Sequence, residues 1–358
     1  MSGSFRTLLP LFERERAAGR PLVLAIVIRT TGPTYTKAGE LLLMASSGEY
    51  AGLLSGGCLE GDLAEHGRQV LIDGQPKVIR YDMQGPDELI FGLGSGCGGA
   101  MDILLRRLDA QSSWEPMVRL AEAWRSHREE EWWLVVRSAN AELPLGGGIF
   151  SQDGYHLAGS PAACGATALI DDAEVLRMTL TTPPHVLLLG AGPDALPVAH
   201  MADFLGWRLT VIDHRPRYAS TSRFPRADLV LEGGPASLSE LLLAGPQRVP
   251  CIAAAIVMSH HFLSDQLYLT TLATSEVPYV GLLGPANRRE RLMALLGPLA
   301  ERLRGRLHSP IGLDIGADSA ETIALSIAAE IQAHLGRVGL RRGCQANQTS
   351  HTELTPLT

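Results

Sequence analysis

The sequence lacks a long apolar run, a dense run of basic residues and any CxxC pair, and each absence removes a class of function. Its longest apolar stretches, such as Cys251 to Met258, fall well short of the roughly 20 residues a membrane helix needs and read as buried strands. The opening residues, MSGSFRTLLPLFERERAAGR, are interrupted by acidic side chains and hold no signal-peptide core, so the expectation is a soluble, cytoplasmic protein with no membrane partner. A formal net charge of -7 without a clustered Lys/Arg face excludes a nucleic-acid partner. Five cysteines, Cys58, Cys97, Cys164, Cys251 and Cys344, are an odd set with neither disulfide-framework nor zinc-knuckle spacing, so free thiols are expected.

What is present is 358 residues with 38 glycines and 22 prolines. That length suits two domains of strands and helices joined by tight turns. The least core-like stretch is FGLGSGCGGAMD, Phe91 to Asp102, where Gly94, Gly96, Gly98 and Gly99 surround Cys97. Glycine is used where backbone takes positive φ or approaches a ligand closely. The stretch reads either as a binding loop carrying a thiol or as a tight turn with a buried cysteine.

Upstream, Leu8 to Ala18 reads as a helix and Pro21 to Thr30 as a buried strand. Thr30 to Gly39, TTGPTYTKAG, is a turn-rich loop, and a hairpin follows through Glu49 to Leu54. In SGGCLEGDL, the turn at Gly56 and Gly57 places Cys58 where a helix begins, two residues before Glu60. A helix N-terminus favours a thiolate, which makes Cys58 a candidate nucleophile or metal ligand. The alternative is a small residue buried at a tight helix start.

Strands are expected at Lys77 to Tyr81 and Met101 to Leu108, a helix at Trp114 to His127, and strands in EWWLVVRS and GGGIF; Ala158 to Thr182 shows no clear period. Thr181 to Pro184 is a stiff joint. It divides a first domain, residues 1–180, from a second, residues 185–338. The tail, residues 339–358, is aperiodic and expected to be disordered, which makes Cys344 a poor site candidate.

The second domain opens with strand Val186 to Leu189, the turn Gly190-x-Gly192-x-x-Ala195, a helix, and a strand ending at Asp213. Gly190 allows the turn, Gly192 lets a pyrophosphate approach, Ala195 lets helix and strand pack, and Asp213 can accept from a ribose hydroxyl. Pro193 and Pro197 are unusual neighbours for that turn. Arg215 leaves NAD and NADP both open. Strands in ADLVLEG, CIAAAIVMSH and YVGLLG, with helices after His260-His261 and over Arg288 to Leu296, complete a doubly wound parallel sheet. Ile323, Ile327, Ile331 and Leu335 mark a long amphipathic helix. His260 and His261 follow a strand end, where ligands bind in such sheets but where histidines also cap and pack; Asp265 can cap its helix.

Together LLSGGCLEGDL, GLGSGCGG, GAGPDALPVA with VIDHRPRYA and RFPRAD, VMSHHFLSD, YVGLLG and HSPIGLDIGADSAETIALSIAAEI resemble the XdhC/CoxI family. Its members are accessory proteins of xanthine dehydrogenase and related molybdenum hydroxylases. The resemblance implies an α/β fold in which an XdhC/CoxI-type domain precedes a Rossmann-like one. It further implies a chaperone more than a turnover enzyme, one that binds the molybdenum cofactor, a phosphorylated molybdopterin, for sulfuration and insertion into a partner of the xanthine dehydrogenase type. A cysteine desulfurase is a further candidate partner, and a homodimer is the default assembly. By position, Cys58 with Glu60 and Cys97 become the contacts to dithiolene or metal, His260 and Asp265 a second group, and His308, Asp314 and Glu321 part of the C-terminal signature. Pro285, Ala286 and Asn287 stand where the family usually has a serine and basic residues. Two other functions share the same features: an NAD(P)-dependent oxidoreductase, and a redox sensor that pairs Cys58 with Cys97.

Overall fold

In a computed structural model, the structure describes residues 2–57, 59–82, 99–150, 165–170, 172–243 and 252–348, with side chains between residues 5 and 337 of these. Cys58, Gly94, Gly96, Cys97 and Gly98 lie outside the described residues. The chain separates into a unit built on Met1–Thr182 and a unit of Pro183–Gln345.

The first unit contains α1 (Ser2–Ala17), β1 (Leu22–Thr31), β2 (Leu41–Ala45), β3 (Tyr50–Gly52), α2 (Glu60–Asp73), β4 (Lys77–Asp82) and β5 (Ala100–Leu108). After these come α3 (Met117–Arg125), β6 (Glu130–Arg137), β7 (Gly148–Phe150), β8 (Thr167–Ile170) and β9 (Ala173–Leu180). Five strands form an antiparallel sheet in the order β3-β2-β1-β5-β4, and four form a second in the order β7-β6-β9-β8.

Strand β1 is apolar at every position from Leu22 to Val27 because it is buried on both faces. Leu22, Leu24 and Ile26 meet Phe5, Phe12 and the fully buried Trp132 of the second sheet. Val23, Ala25 and Val27 meet Leu59, Leu63 and Val70 on the α2 side. Trp132 and Trp133 point to opposite faces of β6, and both are buried.

The hairpin β8–β9 occupies the stretch without a clear period. Its Leu, Met, Arg and Glu are good helix formers, and pairing with β6 overrides that local preference.

The second unit runs β10 (His185–Leu189), α4 (Ala195–Phe204), β11 (Arg208–Asp213), β12 (Leu229–Glu232), α5 (Pro235–Leu243), β13 (Ile252–Val257) and α6 (Phe262–Ala273). It continues through β14 (Val280–Leu282), α7 (Ala286–Leu296), a 3₁₀ turn over Gly297–Leu303, β15 (Leu307–His308) and α8 (Ala320–Gln348). All six strands are parallel, in the order β12-β11-β10-β13-β14-β15. Helices α4 and α8 cover one face through Val198, Ala202, Ile327 and Ile331, and α5, α6 and α7 cover the other through Leu238, Leu269 and Leu292. This is the doubly wound sheet that the alternation of strands and helices predicts.

Two short elements, α5 and β15, are absent from the sequence reading. Helix α8 also runs through Gln348, into the stretch expected to be disordered. That stretch contains no proline before Thr355, and an established helix adds residues at little further cost. Among the described residues no helix is long and apolar enough to cross a membrane.

Trp132 is fully buried and stacks on Phe150 at 6.0 Å between ring centroids. Trp132→Ala is expected to lower unfolding free energy by about 3–5 kcal/mol, read from urea denaturation followed by circular dichroism.

Candidate functional site

The loop from Leu54 to Glu60 is organised by one carboxylate. Glu60, the first residue of α2, is 3% exposed. Its Oε1 accepts from the N–H groups of Leu54 (3.2 Å) and Ser55 (3.0 Å), and its Oε2 from the Ser55 hydroxyl (2.5 Å) and the Gly57 N–H (3.0 Å). Ser55 Oγ in turn accepts from the N–H of Leu59 at 2.8 Å. Ser-Gly-Gly-x-x-Glu is thus a reciprocally hydrogen-bonded turn ahead of α2 that needs positive φ at Gly56 (75°) and Gly57 (107°). Burial pushes the Glu60 carboxyl up, but the Ser55 hydroxyl and the N–H groups of Ser55 and Leu54 outweigh it and leave the group below its ordinary value. Both neighbours of position 58 are therefore pinned, Gly57 by Glu60 and Leu59 by Ser55.

A second segment, Thr31 to Gly39, joins this loop to the edge of the other glycine loop. Its base is closed by Gly39 N–H on Val27 O (2.8 Å) and Val27 N–H on Glu40 O (3.0 Å), beside a register shift between Val27 and Arg29. Thr36 Oγ1 donates to Leu54 O at 2.8 Å, and the Tyr35 ring lies 3.5 Å from where a Cβ on Gly56 would stand. At the other end, a Cβ on Gly99 would fall 2.3 Å from Pro33 O and 2.7 Å from Thr31 O, so only glycine fits there. The described edges of both glycine loops, Leu54 with Gly56 and Gly99, therefore meet one segment. Tyr35 is 58% exposed, and Lys37 is exposed with no ion pair among the described residues. Sequence reasoning did not single out these two side chains, although an aromatic and a lysine in a turn-rich loop were visible signals.

In the second unit, Gly190 (φ 120°) closes the first turn because a Cβ there would lie 2.4 Å from Met258 O. Asp213, expected to face a ribose hydroxyl, is instead turned inward and 1% exposed. Its Oδ2 accepts from the Ala191 N–H (2.7 Å) and Arg215 Nη2 (2.7 Å), and its Oδ1 from Arg215 N and Nε (2.9 Å each). Burial raises this carboxyl, and the Arg215 and Ala191 donors outweigh burial and bring it below its ordinary value.

Ala195 opens α4 and is fully buried. Gly192 faces Asp194, whose Oδ1 is 2.6 Å from an ideal Cβ position and whose Oδ2 accepts from His260 Nε2 at 2.7 Å. His260 holds a positive φ of 57°, rare outside glycine.

The cap of α6 is His261, which accepts from the Ser264 N–H, and not Asp265. Asp265, 1% exposed, accepts from the Ser259 hydroxyl and from Arg288 Nη2 at 2.7 Å. Arg288, just past Pro285-Ala286-Asn287, is held by that pair.

His308 sits on the edge strand β15, two strands from β13. Its Nδ1 donates to Glu330 Oε1 at 2.9 Å and its ring stacks on Tyr279 at 4.2 Å, while Glu330 Oε2 accepts from the Tyr279 hydroxyl and the Gly312 N–H. His308 therefore braces β15 against α8, and strand order separates it from His260. Asp314 and Glu321 are exposed. Among the described residues no group of three or more His, Cys, Asp or Glu could hold a metal ion.

Because the Glu60 carboxyl is lowered on folding, its contribution to stability is fully present above its ordinary value and is lost as pH falls through the lowered one. Glu60→Gln is expected to cost about 2–3 kcal/mol at neutral pH and to flatten that acid limb. Urea denaturation between pH 3 and 7 measures both.

Residues 15–82 match the model of the XdhC and CoxI family, and residues 186–331 match that of the XdhC Rossmann domain. The chain is 31% identical over 346 residues to a Bacillus subtilis protein named as a probable xanthine dehydrogenase subunit, covering 92% of this chain and 97% of that protein. It is 26% identical over 335 residues to the molybdenum cofactor insertion chaperone PaoD of Escherichia coli, covering 92% and 89%. A crystal structure described as a xanthine dehydrogenase from Bacillus halodurans superposes with a TM-score of 0.74 at 27% identity, covering 99% of this chain and 98% of that one. With both halves matched in order and nearly the whole length aligned, the chain belongs to the XdhC and CoxI family.

Proposed function

We propose that this protein is an accessory of a xanthine dehydrogenase-type molybdenum hydroxylase, and that it holds the molybdenum cofactor as cargo for sulfuration and insertion. The observation that carries the reading is the meeting of the described edges of both glycine loops on the Thr31 to Gly39 segment. A relative named as a molybdenum cofactor insertion chaperone supports the cargo. Relatives named for xanthine dehydrogenase support the partner.

The described residues fit a flat, anionic ligand. Gly56 and Gly57 keep side chains out of the backbone surface, Tyr35 offers an exposed ring for a pterin to stack on, and Lys37 offers a free ammonium for a phosphate. Glu60 fixes the loop without touching the cargo, since four donors already converge on its carboxylate. Cys58 and Cys97 are the soft ligands that molybdenum or a dithiolene partner prefers. When bound, the cofactor supplies the metal and its dithiolene sulfurs.

Anaerobic purification from a host that makes the cofactor, with molybdenum read by mass spectrometry and pterin by fluorescence after oxidation, tests this directly. Both are expected to co-purify with the wild type and to be lost in Cys58→Ser and Cys97→Ser; absence of both from the wild type rejects the reading.

The wall formed by the Thr31 to Gly39 segment has its own test. Tyr35→Ala is expected to reduce retained pterin about tenfold while Tyr35→Phe retains it, as loss of a stacking ring requires. Lys37→Met is expected to weaken retention and blunt its salt dependence.

A further inference from the structure

We propose that Asp194 is the specificity-determining residue of the crevice at the switch point of the parallel sheet: a built-in carboxylate that fills the phosphate cradle of the glycine turn and bars dinucleotides. In the dinucleotide-binding version of this fold three features receive the ligand. The second glycine lets pyrophosphate reach the backbone, free N–H groups at the helix start donate to it, and an acid at the end of the next strand accepts from the ribose. Each is altered here.

The space left by the missing side chain of Gly192 is taken by Asp194 Oδ1, 2.6 Å from the ideal Cβ position, and His260 Nε2 holds the other oxygen at 2.7 Å. The carboxylate makes no capping bond to α4, so its place is set by Gly192 and His260 and not by the helix. Residue 193 is proline and offers no N–H. Asp213 has both oxygens engaged by Ala191 and Arg215 and is 1% exposed.

The turn is further clamped by Arg223, which donates to Ala191 O at 2.7 Å while its guanidinium lies over Tyr218. A phosphate entering the cradle would meet a fixed negative charge at contact distance in a partly desolvated site, where like charges repel most strongly. The strained backbone at His260, φ 57°, holds the imidazole where it tethers Asp194. The glycine fingerprint survives in this chain as a folding element while its ligand position is occupied from within.

Isothermal titration of the full chain with ADP-ribose, NADH and NADPH separates the outcomes. The wild type and Asp194→Glu are expected to give no binding up to about 1 mM. Asp194→Asn, which keeps the shape and the contact with His260, and Asp194→Ala, which empties the cradle, are expected to bind ADP-ribose and NADH at least about tenfold more tightly than the wild type. Wild-type binding of either dinucleotide with a dissociation constant below about 1 mM overturns the proposal, as does failure of the folded Asn variant, judged by a wild-type melting temperature, to gain affinity.

Discussion

A carboxylate removed from water must collect donors or lose its charge, and this protein uses that constraint repeatedly to shape its turns. Glu60 gathers the donors of Leu54, Ser55 and Gly57, Asp213 gathers Ala191 and Arg215, Asp265 gathers Ser259 and Arg288, and Glu330 gathers Tyr279, Gly312 and His308. Each anion is anchored on a helix or at a strand end and holds a neighbouring loop that has no regular hydrogen bonding of its own. The loops are therefore held by polar capture, while the sheets behind them are held by apolar packing. The two kinds of order meet at the strand ends, where the candidate residues sit.

The second unit was the more legible half of the sequence. Continuous apolar strands alternating with amphipathic helices leave few topologies open, and the parallel order β12-β11-β10-β13-β14-β15 is the one such alternation predicts. Some elements escaped for physical reasons: β15 is only two residues long, and β9 is a strand of helix-forming residues that tertiary pairing overrides. The candidate site was legible in its glycines but not in its side-chain geometry. No periodicity reveals that Glu60 faces backward onto its own loop, that Asp213 turns inward, or that Tyr35 lies beside Gly56.

The two glycine-rich regions teach opposite lessons about motifs. Around Gly190 and Gly192 the spacing is that of a nucleotide fold, yet Pro193 and Asp194 change the chemistry of the surface that the spacing creates. Around Gly56, Gly57 and Gly99 the glycines belong to no general fingerprint, yet each is required by backbone geometry: two by positive φ, and one by a carbonyl that leaves no room for a side chain. Glycine spacing reports where a chain bends sharply, and the residues between the glycines decide what can bind there.

The contact of Gly99 with Pro33 and Thr31 bears on the order in which the first unit is assembled. The partners are separated along the chain by the whole β2–β3 hairpin, α2 and β4, and they come together only when β5 has paired with β1, Thr31 opposite Ala100. Closing so long a loop is an entropic cost that local structure cannot meet in advance. The Pro33 and Thr31 end of that segment is consequently completed only once β5 has joined the sheet, whereas its Thr36 and Tyr35 contacts to Leu54 and Gly56 involve neighbours much nearer along the chain.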